Sequence, residues 1–227
     1  PICATDIPIS EFGKTAESAL LNEDCSNYDK YAYLNPGFTA DVIPMRWNRT
    51  INDIEVLLIR RKYRPYAGMW ATPGGFYDER VDRDVMDIAA REAREETGLT
   101  DLYFIPMPAV GSVSRDPRQF TVTAPFIALL PTKSSMVASA NDDAEEVRWW
   151  RYSELPELAF DHFELLQQAY QVLSERIKSG SDTFIRLLQE VENEQSEATM
   201  GEVQAILNYF NAASISSTQN ALAWVSS

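Results

Sequence analysis

An α/β/α sandwich around a mixed β-sheet, followed by a short helical C-terminal extension, is the fold this sequence predicts. Three observations lead there. Short apolar, β-rich runs recur between Thr39 and Tyr152. They are bounded by Pro, Gly, Asn and Asp, residues that end strands because of their backbone chemistry. Two helix-periodic segments, 84–97 and 155–178, carry one apolar face each, and strands mixed with such helices need a sheet covered on both faces.

Taken in order, residues 1–27 read as a leader with a short amphipathic segment at Glu17–Leu21. Residues 28–178 form the main domain. Its first strand is Thr39–Trp47, interrupted by Pro44, whose ring removes an amide donor. Asn48–Asp53 turns into the strand Glu55–Arg61, where Val56 and Leu58 belong to an apolar run. Arg64–Gly68 is a loop, and Met69–Thr72 is a short strand broken by the Pro73-Gly74-Gly75 loop. Asp84 is placed to cap a helix that ends at Thr97, with Asp87 three residues on and Gly98 just past the end. Ile88, Ala89 and Ala93 share its core-facing side.

Leu102–Pro106, Gly111–Ser114, Phe120–Leu130 and Glu146–Tyr152 read as extended. Trp70 is expected in the core, and Trp149 and Trp150 alternate so that one of them faces it. The second helix is Leu155–Lys178, with Phe163, Leu166, Ala169, Tyr170, Leu173 and Ile177 at helical spacing. Residues 179–227 are an acidic extension with helix candidates at Thr183–Glu192 and Glu202–Phe210. A DNA-reading winged helix needs a cationic recognition helix, whereas from residue 181 onward Arg186 is the sole base. The extension is therefore read as packing on the main domain or on a partner subunit.

Composition narrows the function classes. With 45% hydrophobic residues among 227, the chain can bury one full core and still carry an appendage. Its 34 acids against 20 bases give a net charge of −14. Nucleic-acid binders instead gather Lys and Arg to displace counterions from phosphates, so no nucleic-acid partner is expected. No apolar run approaches the ~18 residues of a membrane span, so no membrane partner is expected either. The N-terminal residues lack a basic-then-apolar signal pattern, and Cys3 and Cys25 do not suggest a disulfide framework. A cytoplasmic setting with reduced thiols is the expectation.

The densest signal is Arg91-Glu92-Ala93-Arg94-Glu95-Glu96-Thr97-Gly98-Leu99. On a helix, Glu92, Glu95 and Glu96 fall on one face within a turn of each other. Such like charges repel unless partnered. A hard divalent cation, Mg²⁺ or Mn²⁺, suits them because it takes carboxylate oxygens and keeps positions open for water and phosphate. Alone, the pattern equally describes a solvated acidic face with an Arg91–Glu95 pair. Gly74-Gly75 upstream shifts the balance, since paired glycines let backbone approach a ligand or metal without a Cβ between.

At these residues the chain resembles the Nudix hydrolases, whose signature is Gly, five residues, Glu, seven residues, then Arg-Glu-apolar-x-Glu-Glu-x-Gly-apolar. Arg91–Leu99 matches the second half position by position, with Ala93 in the apolar slot. The first half departs from it. Gly75 lies 16 positions before Arg91, two more than the family pattern, and Arg83 stands where the family has Glu. Asp82, Glu79 and Asp84 are the nearby carboxylates able to replace it. Tyr28–Tyr31, Phe38–Ile43, Leu57–Arg61, Ser114–Arg118 and Leu158–His162 extend the resemblance, over roughly residues 28–175, to a subfamily of ADP-ribose pyrophosphatases and Nudix repressors of NAD metabolism.

That resemblance implies metal-dependent cleavage of a nucleoside diphosphate derivative, ADP-ribose to AMP and ribose 5-phosphate. The alternatives are a non-catalytic sensor of ADP-ribose or NAD-related ligands, and a hydrolase of NADH, dinucleoside polyphosphates or nucleotide sugars. It assigns catalytic and metal roles to Glu92, Glu95 and Glu96, with Arg91 holding a glutamate in place. Gly75, Phe76, Arg115, Arg118 and His162 become candidates for substrate binding. The guanidinium forks of Arg115 and Arg118 suit a pyrophosphate, although plain surface charge is the simpler reading. His162 is the sole histidine, and capping or packing at a helix start competes with ligand contact. Glu145 or Glu146 is the candidate general base. A homodimer with N-terminal strands exchanged or packed across is also implied.

Overall fold

Two parallel strands, β1 (Gly37–Asn48) and β7 (Thr121–Leu129), form the spine of the sheet, in register from Gly37↔Thr121 to Met45↔Leu129. The computed structural model describes residues 35–48, 50–130, 144–179 and 204–210. The chain divides into two compact units, Pro1–Pro36 and Gly37–Ser227, and everything below concerns the second. The leader segment, Cys3, Cys25 and the Thr183–Glu192 helix candidate lie outside the described residues.

Each spine strand changes its outer partner halfway. β1 pairs antiparallel with β4 (Gly74–Phe76) over Thr39–Asp41, then with β2 (Asp53–Arg61) from Met45. β7 pairs with β6 (Val110–Ser112) over Thr121–Thr123, then with β5 (Tyr103–Pro106) from Phe126. Two prolines fill the two gaps. The Val42 amide donates to the Pro73 carbonyl at 2.8 Å, so the nitrogen of Pro44, two residues on, faces the same side, between β4 and β2. Pro125 likewise sits between the β6 and β5 pairings, its carbonyl accepting from Met107 at 2.9 Å. Pro44 therefore does not interrupt β1, because its missing donor falls where no partner strand asks for one. β3 (Trp70–Ala71) and β8 (Ala144–Arg151) complete the sheet against β2, giving eight strands among the described residues.

The period-2 alternation of the spine separates two apolar layers. Ala40, Val42, Phe126 and Ala128 pack against Ile88, Ala89 and Ala93 of α1 (Val85–Thr97). On the opposite face Ile43, Met45, Ile127 and Leu129 meet Leu165, Leu166, Ala169, Leu173 and Ile177 of α2 (His162–Lys178). This is the α/β/α sandwich with a mixed sheet read from the sequence. α1 starts where its cap chemistry requires: the Asp84 carboxylate accepts from the Met86 and Asp87 amides at 2.8 and 2.9 Å, and Gly98 closes the helix at φ 71°.

Two local differences from the sequence reading have physical causes. α2 begins at His162, not Leu155: Pro156 lacks an amide donor, Ala159 pairs with the Trp70 carbonyl, and Phe160 adopts a left-handed φ of 54°. With that start, Leu165 takes the interior place and Phe163 stays exposed. Gly74–Phe76, read as loop, is the strand β4. Trp150 packs edge-on against Trp70 at 5.2 Å on the α2 side, while Trp149 lies beneath the Arg46 guanidinium at 4.1 Å.

Of the C-terminal extension, residues 204–210 are helical. Ile206 and Phe210 are buried in the α2-side core. Tyr209 meets the Trp47 ring edge-on at 5.5 Å and donates to Asp53 Oδ1 at 2.6 Å. Asp53 also accepts from Ser153 Oγ at 2.7 Å, so one buried carboxylate joins β2, the Tyr152–Glu154 turn and this helix. Phe210→Ala is expected to lower unfolding stability by about 3–5 kcal/mol, the cost of emptying an aromatic core position, as measured by urea denaturation.

Candidate active site

The carboxylate face of α1 is organised by one guanidinium. Arg91 Nε and Nη2 fork onto Asp82 at 2.9 and 2.8 Å, while Nη1 reaches Glu92 at 2.6 Å and Glu95 at 3.1 Å. Nη2 also donates to the Phe76 carbonyl at 3.0 Å. The Asp82 side chain is 1% exposed, and the hydrogen bond from Arg91 holds its carboxyl below the usual carboxylate range. Arg91 in turn is held well above the ordinary guanidinium value, first by Asp82. Of the carboxylates able to stand in for the missing box glutamate, Asp82 is thus the one that meets Arg91. Arg83 is exposed and pairs outward with Asp87 at 2.9 Å.

The glycine segment is fixed from three sides. The Thr72 amide donates to His162 Nδ1 at 2.9 Å, the Pro73 carbonyl accepts from Val42, and the Gly74 amide donates to Glu96 Oε2 at 2.9 Å. At Gly75 an added Cβ would overlap the Glu92 carboxylate. The stricter constraint is at Gly74, where an added Cβ would meet the Ala40 carbonyl oxygen at 2.5 Å. Burial pushes the Glu92 carboxyl up, against the opposing pull of Arg91.

A second charged network sits beside the first. Asp41 of β1, 6% exposed, accepts from Arg115 Nη2 at 3.2 Å and from Thr72 Oγ1 at 3.3 Å. Arg115 forks onto Asp161 at 2.9 and 3.0 Å. Burial pushes the His162 imidazole below its ordinary value, against the pull of Asp41 and Asp161. Arg118 is paired with Asp116 at 2.7 Å and lies over the Phe76 ring at 5.0 Å.

These groups border a single cleft of ≈ 210 Å³. Of the residues expected from sequence, Gly75, Phe76, Glu92, Glu96, Arg115, Arg118 and His162 line it. Arg91 stands behind the wall, and Glu95 turns toward Arg91 and Arg94. Glu145 and Glu146 lie on β8 within 4.0 Å of Arg60, largely exposed, and do not line the cleft. Asp41, Thr72, Asp116, Phe160, Arg61 and Lys62 also line it and were not singled out from sequence. One signal for Asp41 was available: a lone carboxylate inside an apolar strand, a position that demands a partner.

Glu92 and Glu96, oxygen donors beside two glycines, suit a hard divalent cation such as Mg²⁺ or Mn²⁺. Among the described residues no three Asp, Glu, His or Cys side chains converge as a ready metal-binding set. The shape of the site explains this: Glu92 and Glu95 accept from Arg91, and Glu96 accepts from a backbone amide.

The fold and this box of residues define a class. Residues 39–169 match the NUDIX domain, and the chain belongs to the Nudix family. Over 157 residues it is 32% identical to the ADP-ribose pyrophosphatase of Methanocaldococcus jannaschii, covering 69% of this chain and 85% of that protein. Over 164 residues it is 31% identical to the ADPR responsive transcriptional repressor NtrR of Acinetobacter baylyi, covering 72% of this chain and 63% of the repressor. The chain therefore spans less than two thirds of the repressor's length. The NUDIX domain of Shewanella oneidensis NrtR complexed with ADP ribose is similar in structure, with a TM-score of 0.60 at 31% identity, covering 69% of this chain and 98% of that one. These likenesses support a Nudix hydrolase. The expected absence of a nucleic-acid partner gains nothing from them, since one relative is a transcriptional repressor.

Gly75→Ala is expected to destabilise the protein by about 1–3 kcal/mol, as overpacking does, because the neighbouring Glu92 is itself held by Arg91. Denaturant unfolding of the variant beside the native chain measures the difference.

Proposed function

We propose that the chain is a divalent-cation-dependent hydrolase that splits the pyrophosphate of a nucleoside diphosphate derivative, ADP-ribose to AMP and ribose 5-phosphate. One observation carries this reading: Glu92 and Glu96 share a cleft with Arg61, Lys62 and Arg118. Such a cleft offers carboxylate oxygens to a cation and cationic side chains to phosphate. When bound, the cation would supply charge neutralisation and a water of lowered pKa. Glu92 and Glu96 would hold it, and Gly74–Gly75 leaves room for phosphate to approach. Arg91 fixes Glu92, and the Gly74 amide fixes Glu96. The likeness to an ADP-ribose pyrophosphatase and to a domain complexed with ADP ribose supports that substrate.

A second reading, a sensor of ADP-ribose without turnover, is favoured by the likeness to an ADPR responsive repressor. The net charge of −14 weighs against direct DNA contact by this chain. No helix among the described residues is long and apolar enough to cross a membrane. A homodimer in the cytoplasm belongs to the same proposal.

Product analysis with purified protein, Mg²⁺, and a panel of ADP-ribose, NADH, diadenosine tetraphosphate and UDP-glucose tests both readings. Chelator-sensitive AMP release from ADP-ribose is expected. Glu92→Gln and Glu96→Gln should each reduce it about 100-fold or more, since the cation's contribution is worth several kcal/mol. Near-native turnover in both variants would overturn the site. Saturable ADP-ribose binding with no turnover of any compound would establish the sensor.

A further inference from the structure

His162 and Asp41 lie outside the glutamate helix, yet both line its cleft and are nearly sealed from solvent, at 5% and 6% exposure. The hydrogen bonds determine the state of the ring. His162 Nδ1 accepts the Thr72 amide at 2.9 Å, so it carries no proton, and the neutral imidazole bears its hydrogen on Nε2. That nitrogen faces Asp41 Oδ1 at 3.6 Å, and the Thr72 hydroxyl reaches the same oxygen at 3.3 Å. Arg115 takes the other Asp41 oxygen and forks back onto Asp161, the residue preceding His162. The ring is therefore hydrogen-bonded at its Nδ1 edge to the β3–β4 link, while its Nε2 edge lies beside the Asp41 carboxylate of β1.

What the ring holds is the entrance to the glycine strand. β3 ends at Ala71 and β4 begins at Gly74, so no ladder partner exists for the buried Thr72 amide, and an unpaired buried amide is costly. Thr72, Pro73 and Gly74 are bonded in succession to α2, β1 and α1, the last contact being the Glu96 carboxylate. Mere packing at this position would need an apolar side chain, not an acceptor aimed at that amide.

We propose that His162 is a positioning residue of the cleft, acting through the Thr72–Gly74 backbone to fix the Glu96 carboxylate. The proposal rests on the hydrolase reading for its kinetic consequence, but its geometric content stands apart from catalysis.

Three variants separate the two edges of the ring. In His162→Asn the amide oxygen falls near the Nδ1 position and can accept the Thr72 amide. In His162→Gln the terminal amide falls near Nε2 and leaves Thr72 unpaired, and His162→Ala removes both. Amide hydrogen exchange at Thr72 and Gly74, in the full chain without substrate, is the first readout. Exchange should accelerate about tenfold or more in the Gln and Ala variants, as expected for a locally opened segment, and stay near native in the Asn variant. The second readout is steady-state turnover of ADP-ribose. There kcat should fall about 10–100-fold, the range for a supporting partner of a metal-site ligand, in the Gln variant, with KM little changed and Asn restoring most of the rate. If His162→Ala does not fold, the Asn–Gln pair carries the test alone. Equal exchange in the Asn and Gln variants would overturn the proposal. A native chain inactive on every substrate would sink the hydrolase reading while the exchange data still decide the positioning role.

Discussion

The cleft depends on the placement of Arg91 before anything else. Three glutamates within two turns of one helix would weaken α1 by mutual repulsion. A single guanidinium instead draws Glu92, Glu95, Asp82 and the Phe76 carbonyl onto its donors. Helix, box loop and β4 are thereby joined at one point that is only 15% exposed. Removing one partner of such a buried charged pair typically costs about 3–5 kcal/mol, because the other charge stays behind in the interior. A lysine could not substitute, since one ammonium cannot present a planar fork to Asp82 and still reach Glu92 and the carbonyl.

The same interaction explains why a lengthened box is tolerated. Two added residues displace the family's glutamate position onto Arg83, which points to solvent and pairs with Asp87. The loop folds back so that the Asp82 carboxylate also accepts the Asp78 amide at 2.8 Å, and a carboxylate arrives under Arg91 from one position earlier. The requirement is for a charge at that point in space, not at a sequence interval, and loop length can vary as long as it is met.

Legibility in the sequence followed the range of the forces involved. α1 could be delimited because its signals are local: the Asp84 cap, Gly98 in the left-handed region, and apolar residues recurring on one face. The two spine strands were legible for the same reason, their branched and aromatic runs being long. β4 was not, since two glycines and a phenylalanine carry little strand propensity and become a strand only because β1 offers Thr39–Asp41 as a partner. The start of α2 was misplaced because Phe160 adopts a left-handed φ that its side chain does not favour; Tyr66, at 4.7 Å between ring centroids, and Arg61 pack around it. Asp41, Arg115 and Asp161 belong together only in space, 74 and 46 positions apart along the chain. The glutamate face of α1 announced a site, but the second network behind it is written in contacts that no spacing rule expresses.

That second network also changes what the arginines of the cleft can do. Arg115 was attractive as a free fork for pyrophosphate, yet its donors already serve Asp161 and Asp41, and Arg118 is forked onto Asp116. Those two charges are already shared with carboxylates, so for phosphate the cleft relies chiefly on Arg61 and Lys62, while Glu92 and Glu96 repel an anion that arrives without a cation. On the proposed reading that repulsion is offset by the divalent cation that those carboxylates suit. Binding of cation and pyrophosphate at one site is then thermodynamically coupled: whatever factor the cation contributes to ligand affinity, the ligand returns to the cation. The acidity of the chain thus becomes a source of selectivity, since a bare anion is repelled and its metal complex is not.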